Sequence, residues 1–217
     1  MSSRPRQGLL DDCWLMAPML AIHETAPRLL ADALAPHDDG TATVRLPGLG
    51  RCIRVVREFP VDARGRFLGA REAGSSLTRA SAIHPGWPGA LEKAVAIQVS
   101  GGYQMLQRGF ARTGFALLTG RPSRTLLRFP DVEQLARLLA QGRAICASTH
   151  PFSARVRIGT NPLPRNHVFA VVGADPEADR ILLRNPTDPE RIMRIDPRRL
   201  RLGFFSIDVS EVLRREP

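Results

Sequence analysis

The 217-residue sequence predicts an α+β fold, because its two halves carry different hydrophobic periods. Up to residue 142 the clearest patterns are helical, with apolar residues three or four apart and stops at Gly or Pro. Beyond it, "RAICAST", "HVFAVVGAD", "RILLRNP", "RIMRID" and "FFSIDV" are short β-rich runs divided by turn residues. The 43% hydrophobic content is enough for one domain, or for two packed lobes with a cleft between them. No apolar run reaches the roughly 18 residues that span a bilayer, and the polar start "MSSRPRQG" has no signal-peptide core.

Taken in order, Asp11 or Asp12 is an N-cap for a helix that begins near Cys13 and runs through "WLMAPMLAIHE", with Pro18 placed to kink it. "APRLLADALA" predicts a second helix, closed by the turn "PHDDG". "TATVRLP" and "RCIRVVREFPVD" read as strands joined by "PGLG". Residues 63–86, rich in Gly, Ser, Arg and Ala, read as an irregular connection. "WPGALEKAVAIQVS" is helical, with Leu91, Val95 and Val99 on one stripe and Gly101-Gly102 as its stop. "VEQLARLLAQG" is the last helix before the β-rich half. Domain organisation follows the change of pattern: residues 1–130 form a helical lobe and 131–217 a β-rich lobe, together one compact unit.

Net charge is +10, which raises nucleic acid as a partner. However, 30 of the 31 basic residues are Arg, Lys93 being the exception, and only "RRLR" clusters. Codon bias explains that skew as well as a binding role does, so neither nucleic acid nor membrane is the expected partner. Three cysteines without a CxxC pair argue against a disulfide framework and against zinc; Cys52 and Cys146 are expected to be core strand thiols. Trp87 is expected to pack between lobes, and Glu92 and Lys93 to be structural.

Cys13 starts a helix, where free N–H groups and the helix dipole favour a thiolate and can bind an oxyanion. Gln7, six residues upstream, can supply a second donor. A nucleophile also needs a base. Of five histidines, His23 lies on the helix after Cys13, His37 in a charged turn, His84 before a Pro and His150 at a strand end. Only His167 stands at a loop-to-strand junction facing a run that ends in an amide. If "HVFAVVG" and "RILLRN" form a hairpin centred near Pro176, His167 lies opposite Asn185, Phe169 opposite Leu183 and Val171 opposite Ile181. A slip of one residue would put His167 and Asn185 on opposite faces. The expected site is Cys13 as nucleophile, His167 as base and Asn185 as the group orienting it. Gln7 and the Cys13 N–H would form the oxyanion hole.

These segments resemble the calpain family of papain-like cysteine peptidases. Its cysteine motif, Gln-Gly-x-Leu-Gly-Asp-Cys-Trp, is matched by Gln7, Gly8, Leu10, Asp12, Cys13 and Trp14 in "QGLLDDCW". "WPGALEKAVA" is similar to the family's central helix, "NHVFAVVGA" to its histidine segment and "LLRNP" to its asparagine strand. "SGGYQML", "ALLTGRPS" and "RRLRLGFFSIDVSEV" extend the likeness over nearly all of the chain. The resemblance implies a two-lobed papain-like fold with the cleft between a helical and an antiparallel β lobe. Two positions depart from the pattern. Asp11 replaces the Gly two residues before the nucleophile, and Thr187 replaces the Trp that shields the His–Asn bond. Twelve residues precede Cys13, so the implied unit is a catalytic core without the family's regulatory domains. The family's calcium loops have no residue-by-residue match, and "HDDG" and "DPEAD" read as solvated turns, so no cofactor is expected and calcium regulation stays open.

The function this implies is a cysteine endopeptidase working through a thioester, with a thiol pKa several units below about 8.5. One alternative is other acyl chemistry on proteins (deamidation, transglutamination or deconjugation), as in an effector or toxin module of a larger bacterial protein. The other is an inactive scaffold that binds protein or nucleic acid. A protein substrate, an inhibitor or immunity protein, and a monomeric state are expected. The location is cytoplasmic, or that of a larger secreted effector.

Overall fold

The computed structural model describes residues 3–56, 59–75 and 86–213. It begins with β1 (Pro5–Arg6) and continues into α1 (Cys13–Thr25). Every residue of α1 from Trp14 to Ile22 is buried, as in a helix enclosed on all sides, and Pro18 sits inside it without ending it. The predicted helix over 26–35 is shorter: α2 is Pro27–Ala31, and Leu34–Pro36 instead forms β2. Fewer than two turns of helix have little stability of their own, and pairing of Leu34 with Val44 wins. The strands β3 (Ala42–Leu46) and β4 (Arg51–Val55) complete a three-stranded sheet, in the order β2-β3-β4. Ile53 and Val55 face inward on β4, so Cys52 lies on its outer face and is exposed, not a core thiol as expected.

β5 (Arg71–Glu72) pairs with β1. α3 (Gly86–Ser100) buries Leu91 and Val95, but Val99 is 47% exposed and does not extend their stripe. α4 (Ala111–Thr119) and β6 (Ser123–Leu126) are elements that the sequence patterns did not predict. α5 (Val132–Ala140) opens with a capping box. The Asp131 carboxylate accepts from Gln134 N–H at 2.7 Å, and Gln134 Oε1 accepts from Asp131 N–H at 3.2 Å.

β7 (Arg143–Thr149), β8 (Arg157–Ile158), β9 (Asn161–Pro162), β10 (Val168–Asp175), β11 (Arg180–Asn185) and β12 (Asp188–Ile195) follow. α6 (Pro197–Gly203) and β13 (Phe204–Val212) end the described chain. One six-stranded antiparallel sheet, ordered β12-β11-β10-β7-β13-β6, dominates this half. Strand alternation sorts its residues between two cores. Ala144, Cys146, Val168 and Ala170 join the core around α1; Ile145, Ala147, Phe169 and Val171 join the core under α5 and α6. The molecule is therefore α+β, with α1 packed directly on β7 and β10. Among the described residues no helix is long and apolar enough to cross a membrane.

Candidate active site

Cys13 is the first residue of α1, and Asp12 occupies its N-cap position. The Asp12 carbonyl takes the N–H groups of Leu15 and Met16, at 2.8 and 3.1 Å. The Asp12 side chain, expected as a cap, does not bond the helix. The loop before it is held on two sides. Gln7 N–H donates to the Pro186 carbonyl at 2.8 Å, and Leu9 N–H to the Leu68 carbonyl at 2.7 Å. Gly8 lies so close to the Leu68 and Gly69 carbonyls that a Cβ there would collide with them. This packing buries Gln7 to 5% exposure. Its amide nitrogen donates to the Leu10 carbonyl at 2.6 Å, leaving the second N–H of that nitrogen for another acceptor.

His167 immediately precedes β10, and its Nε2 lies 2.8 Å from Asn185 Oδ1 at the end of β11. Thr187 N–H also donates to Oδ1, at 3.1 Å. An atom that accepts a backbone N–H is the amide oxygen, so His167 Nε2 must carry the proton and Nδ1 the lone pair. The hairpin register differs from the predicted one. Val171 pairs with Leu183 and Ala170 with Arg184, two residues further along, and a bulge between Val171 and Gly173 adds another step. A shift of two preserves the face. Asn185 therefore reaches His167 diagonally, from one pleat away, and not from directly opposite. Arg184, 7% exposed, donates to the Pro189 and Glu190 carbonyls at 2.6 and 3.0 Å and so pins the bend that presents Asn185.

Thr149 is a supporting residue that the sequence did not reveal. It is 1% exposed; its hydroxyl accepts from His167 N–H at 2.9 Å and donates to the Pro164 carbonyl at 2.8 Å. The imidazole also meets the Phe169 ring edge-on, with centroids 5.1 Å apart.

Gln7, Cys13 and His167 line one cavity of about 420 Å³. Asp11, Arg108 and Phe110 are also in its wall, none of the last two foreseen. The segment 108–110 rests on Trp14, whose indole N–H donates to the Leu106 carbonyl at 2.6 Å. A Cβ at Gly109 would strike that ring, and Arg108 next to it holds a φ of 126°, a rarely populated backbone conformation for a residue with a side chain. A second cavity of about 170 Å³ reaches Asn185 between Pro162 and Met193.

The electrostatics oppose the expected thiolate–imidazolium pair at rest. Burial pushes the Cys13 thiol up to about 11. The Val168 and Trp14 amides pull it down, and the carboxylates of Asp12 and Asp11 push it up. Burial lowers His167, against the Asn185 bond and the Asp11 charge, which raise it. Both groups therefore rest neutral, and the thiol's own polar contact is the Asn166 carbonyl at 3.9 Å.

The other histidines have structural surroundings. His150 Nε2 bonds the Leu202 carbonyl at 2.7 Å, His37 Nε2 bonds Thr43 Oγ1 at 2.8 Å, and His23 stacks on Trp87. His84 lies outside the described residues. Cys146 is buried, as expected. Glu92 and Lys93 are buried, and Lys93 Nζ donates to the Val56 carbonyl at 3.0 Å. Among the described residues no three His, Cys, Asp or Glu side chains gather as a metal site would require. Residues 2–192 match the sequence model of the family described as calpain family cysteine protease. No curated protein matches the chain.

Proposed function

The chain belongs to the calpain family of cysteine proteases, and on that premise we propose that it is a cysteine endopeptidase with Cys13, His167 and Asn185 as its catalytic residues. The observation that carries this reading is the 2.8 Å bond from His167 Nε2 to Asn185 Oδ1, in a histidine that shares its cavity with Cys13 and Gln7. That bond leaves Nδ1 as the proton acceptor. A neutral thiol and a neutral imidazole call for proton transfer during attack, not before it.

Cys13 Sγ attacks the peptide carbonyl carbon while its proton passes to Nδ1. The oxyanion that forms is held by the Cys13 N–H and the second N–H of Gln7. The imidazolium then gives its proton to the departing amine, leaving a thioester on Sγ. Water, deprotonated by Nδ1, attacks the thioester carbon, and collapse releases the acid and returns the proton to Sγ. Asn185 keeps the ring oriented throughout and stabilises its charged form.

The same reading divides the chain into two papain-like lobes, residues 1–130 and 131–217, with the cavity at their seam. Gln7, Asp11, Cys13 and Arg108 line it from the first, and Thr149 and His167 from the second. β6 belongs to the first span by number yet pairs with β13, and so straps the two together. The substrate is a protein, and no cofactor enters the chemistry.

The test is mass analysis of an unfolded protein substrate after incubation with the wild type and with Cys13→Ala. Fragments ending at new termini, absent from the variant reaction, are expected. Intact chains carrying only the small mass shift of deamidation, or a conjugate, would move the assignment to other acyl chemistry. Unchanged chains together with retained binding would move it to a scaffold.

A further inference from the structure

Beneath the nucleophile lies a pair of acids that this chemistry does not use. Asp12 and Glu92, on α3, are both completely buried. Apart from its own backbone N–H and the Glu92 carboxyl, no group donates to the buried oxygens of Asp12. Both oxygens of Glu92 take the Ala70 N–H, at 2.9 and 3.0 Å. The two carboxyls meet side chain to side chain. Ionised carboxylates only accept, so this contact is a hydrogen bond only when one of the pair holds a proton. Tyr103, whose buried hydroxyl has no partner, faces the pair from the segment after α3, and Asp11 faces it from the loop.

The pair also closes a circuit. Asp12 touches Glu92, Glu92 holds Ala70, and the chain leads back through Gly69, which packs on the Glu92 carboxylate, to Leu68. The Leu68 carbonyl receives Leu9 N–H, and Leu9 is in the loop that returns to Asp12. Gln7 and Cys13 stand at the two ends of that loop.

We propose that Asp12 and Glu92 share a single proton, and that this O–H···O bond is the link that fixes the loop presenting Gln7 and Cys13. They are positioning residues, and the role rests on reading Cys13 as the nucleophile. Burial, the largest influence on both, holds the two acids above the ordinary carboxylate range. A folded value raised above the unfolded one gives stability that is complete below about pH 4 and is lost as pH rises through the folded value. The native structure should therefore weaken toward neutral and alkaline pH as the shared proton leaves.

Asp12→Asn and Glu92→Gln each supply an amide N–H in place of the proton, whereas Glu92→Ala supplies nothing. The infrared signature of a protonated carboxyl is expected in the wild type at neutral pH and absent from both amide variants. The unfolding midpoint should fall with pH in the wild type and fall less in Glu92→Gln. Alkylation of Cys13, measured against Cys52, should drop roughly tenfold or more in Glu92→Ala, as for a displaced reacting group, and be restored in Glu92→Gln. A wild type without the protonated-carboxyl band, or a Glu92→Gln variant with an unaltered pH slope, overturns the shared proton. Should Glu92→Ala not fold, these two readouts decide. Cys13 labelling that ignores His167→Ala would instead refute the nucleophile reading, while the infrared band still reports on the pair.

Discussion

Replacing His167 by Ala removes the proposed proton acceptor and leaves Cys13 to ionise alone. Burial and two neighbouring carboxylates hold its pKa at about 11. At pH 7 such a thiol is ionised to about one part in 10⁴, against about 3% for an exposed thiol near 8.5, a deficit of roughly 300-fold. Only the thiolate attacks iodoacetamide, so the labelling rate of His167→Ala should start low and climb about tenfold per pH unit toward pH 11. In the wild type the imidazole can take the proton, and labelling should be faster and much flatter between about pH 6 and 8. Timed alkylation followed by peptide mass spectrometry reads this directly. Exposed Cys52 is the internal reference and buried Cys146 the blank. Labelling of His167→Ala within about threefold of wild type at pH 7, or a common midpoint near 8.5 in both proteins, would show that the thiol is neither desolvated nor coupled to His167.

Two further substitutions separate the roles of the remaining groups. Asn185→Ala removes a hydrogen bond to the imidazolium worth about 1.5–3 kcal/mol, so kcat/KM should fall about 10- to 150-fold. Because that bond raises His167, the histidine limb of the pH–rate profile should move further toward acid; an unmoved limb would mean that Asn185 does not act on the imidazole. Gln7→Ala removes one of the two proposed oxyanion donors and should lower kcat by about 10²–10³. Alkylation forms no oxyanion and should change little; a matching loss of alkylation would mark Gln7 as a prop for the loop.

What the sequence made legible was whatever depended on a short stretch of chain. A cysteine opening a wholly apolar helix, and a histidine and an amide at the mouth of one hairpin, are local patterns. Their chemistry needed only a common face. That is why His167 still bonds Asn185 despite the shifted register: two residues are one full pleat, and the bulge near Val172 lies beyond that contact. What stayed hidden was set by distant partners. Thr149 holds the His167 backbone from the end of β7, and nothing in "RAICASTH" distinguishes it from a surface threonine. Asp12 looked like a helix cap because that is what aspartate does beside a free helix end; here a buried acid on α3 claims its side chain. The upward pull of burial on the thiol stayed hidden for the same reason. Helix ends are visible in sequence, whereas the desolvation that outweighs them is not. Cys52 failed on alternation, since "RCIRVV" does not say which face turns inward.

The hydrogen bond from Gln7 to Pro186 has a consequence for how the molecule is made. The thiol leaves the ribosome before the Asn166 carbonyl it meets, which lies 153 positions later. At translation rates of about 5–20 residues per second, some 8–30 s separate the two. During that interval the nascent chain lacks His167, Asn185 and the Pro186 anchor for the loop that bears the cysteine. Assembly of the centre must await the β11–β12 bend. If Cys13, His167 and Asn185 act as proposed, a half-made chain cannot cut itself or its neighbours, and the timing of synthesis is itself a safeguard.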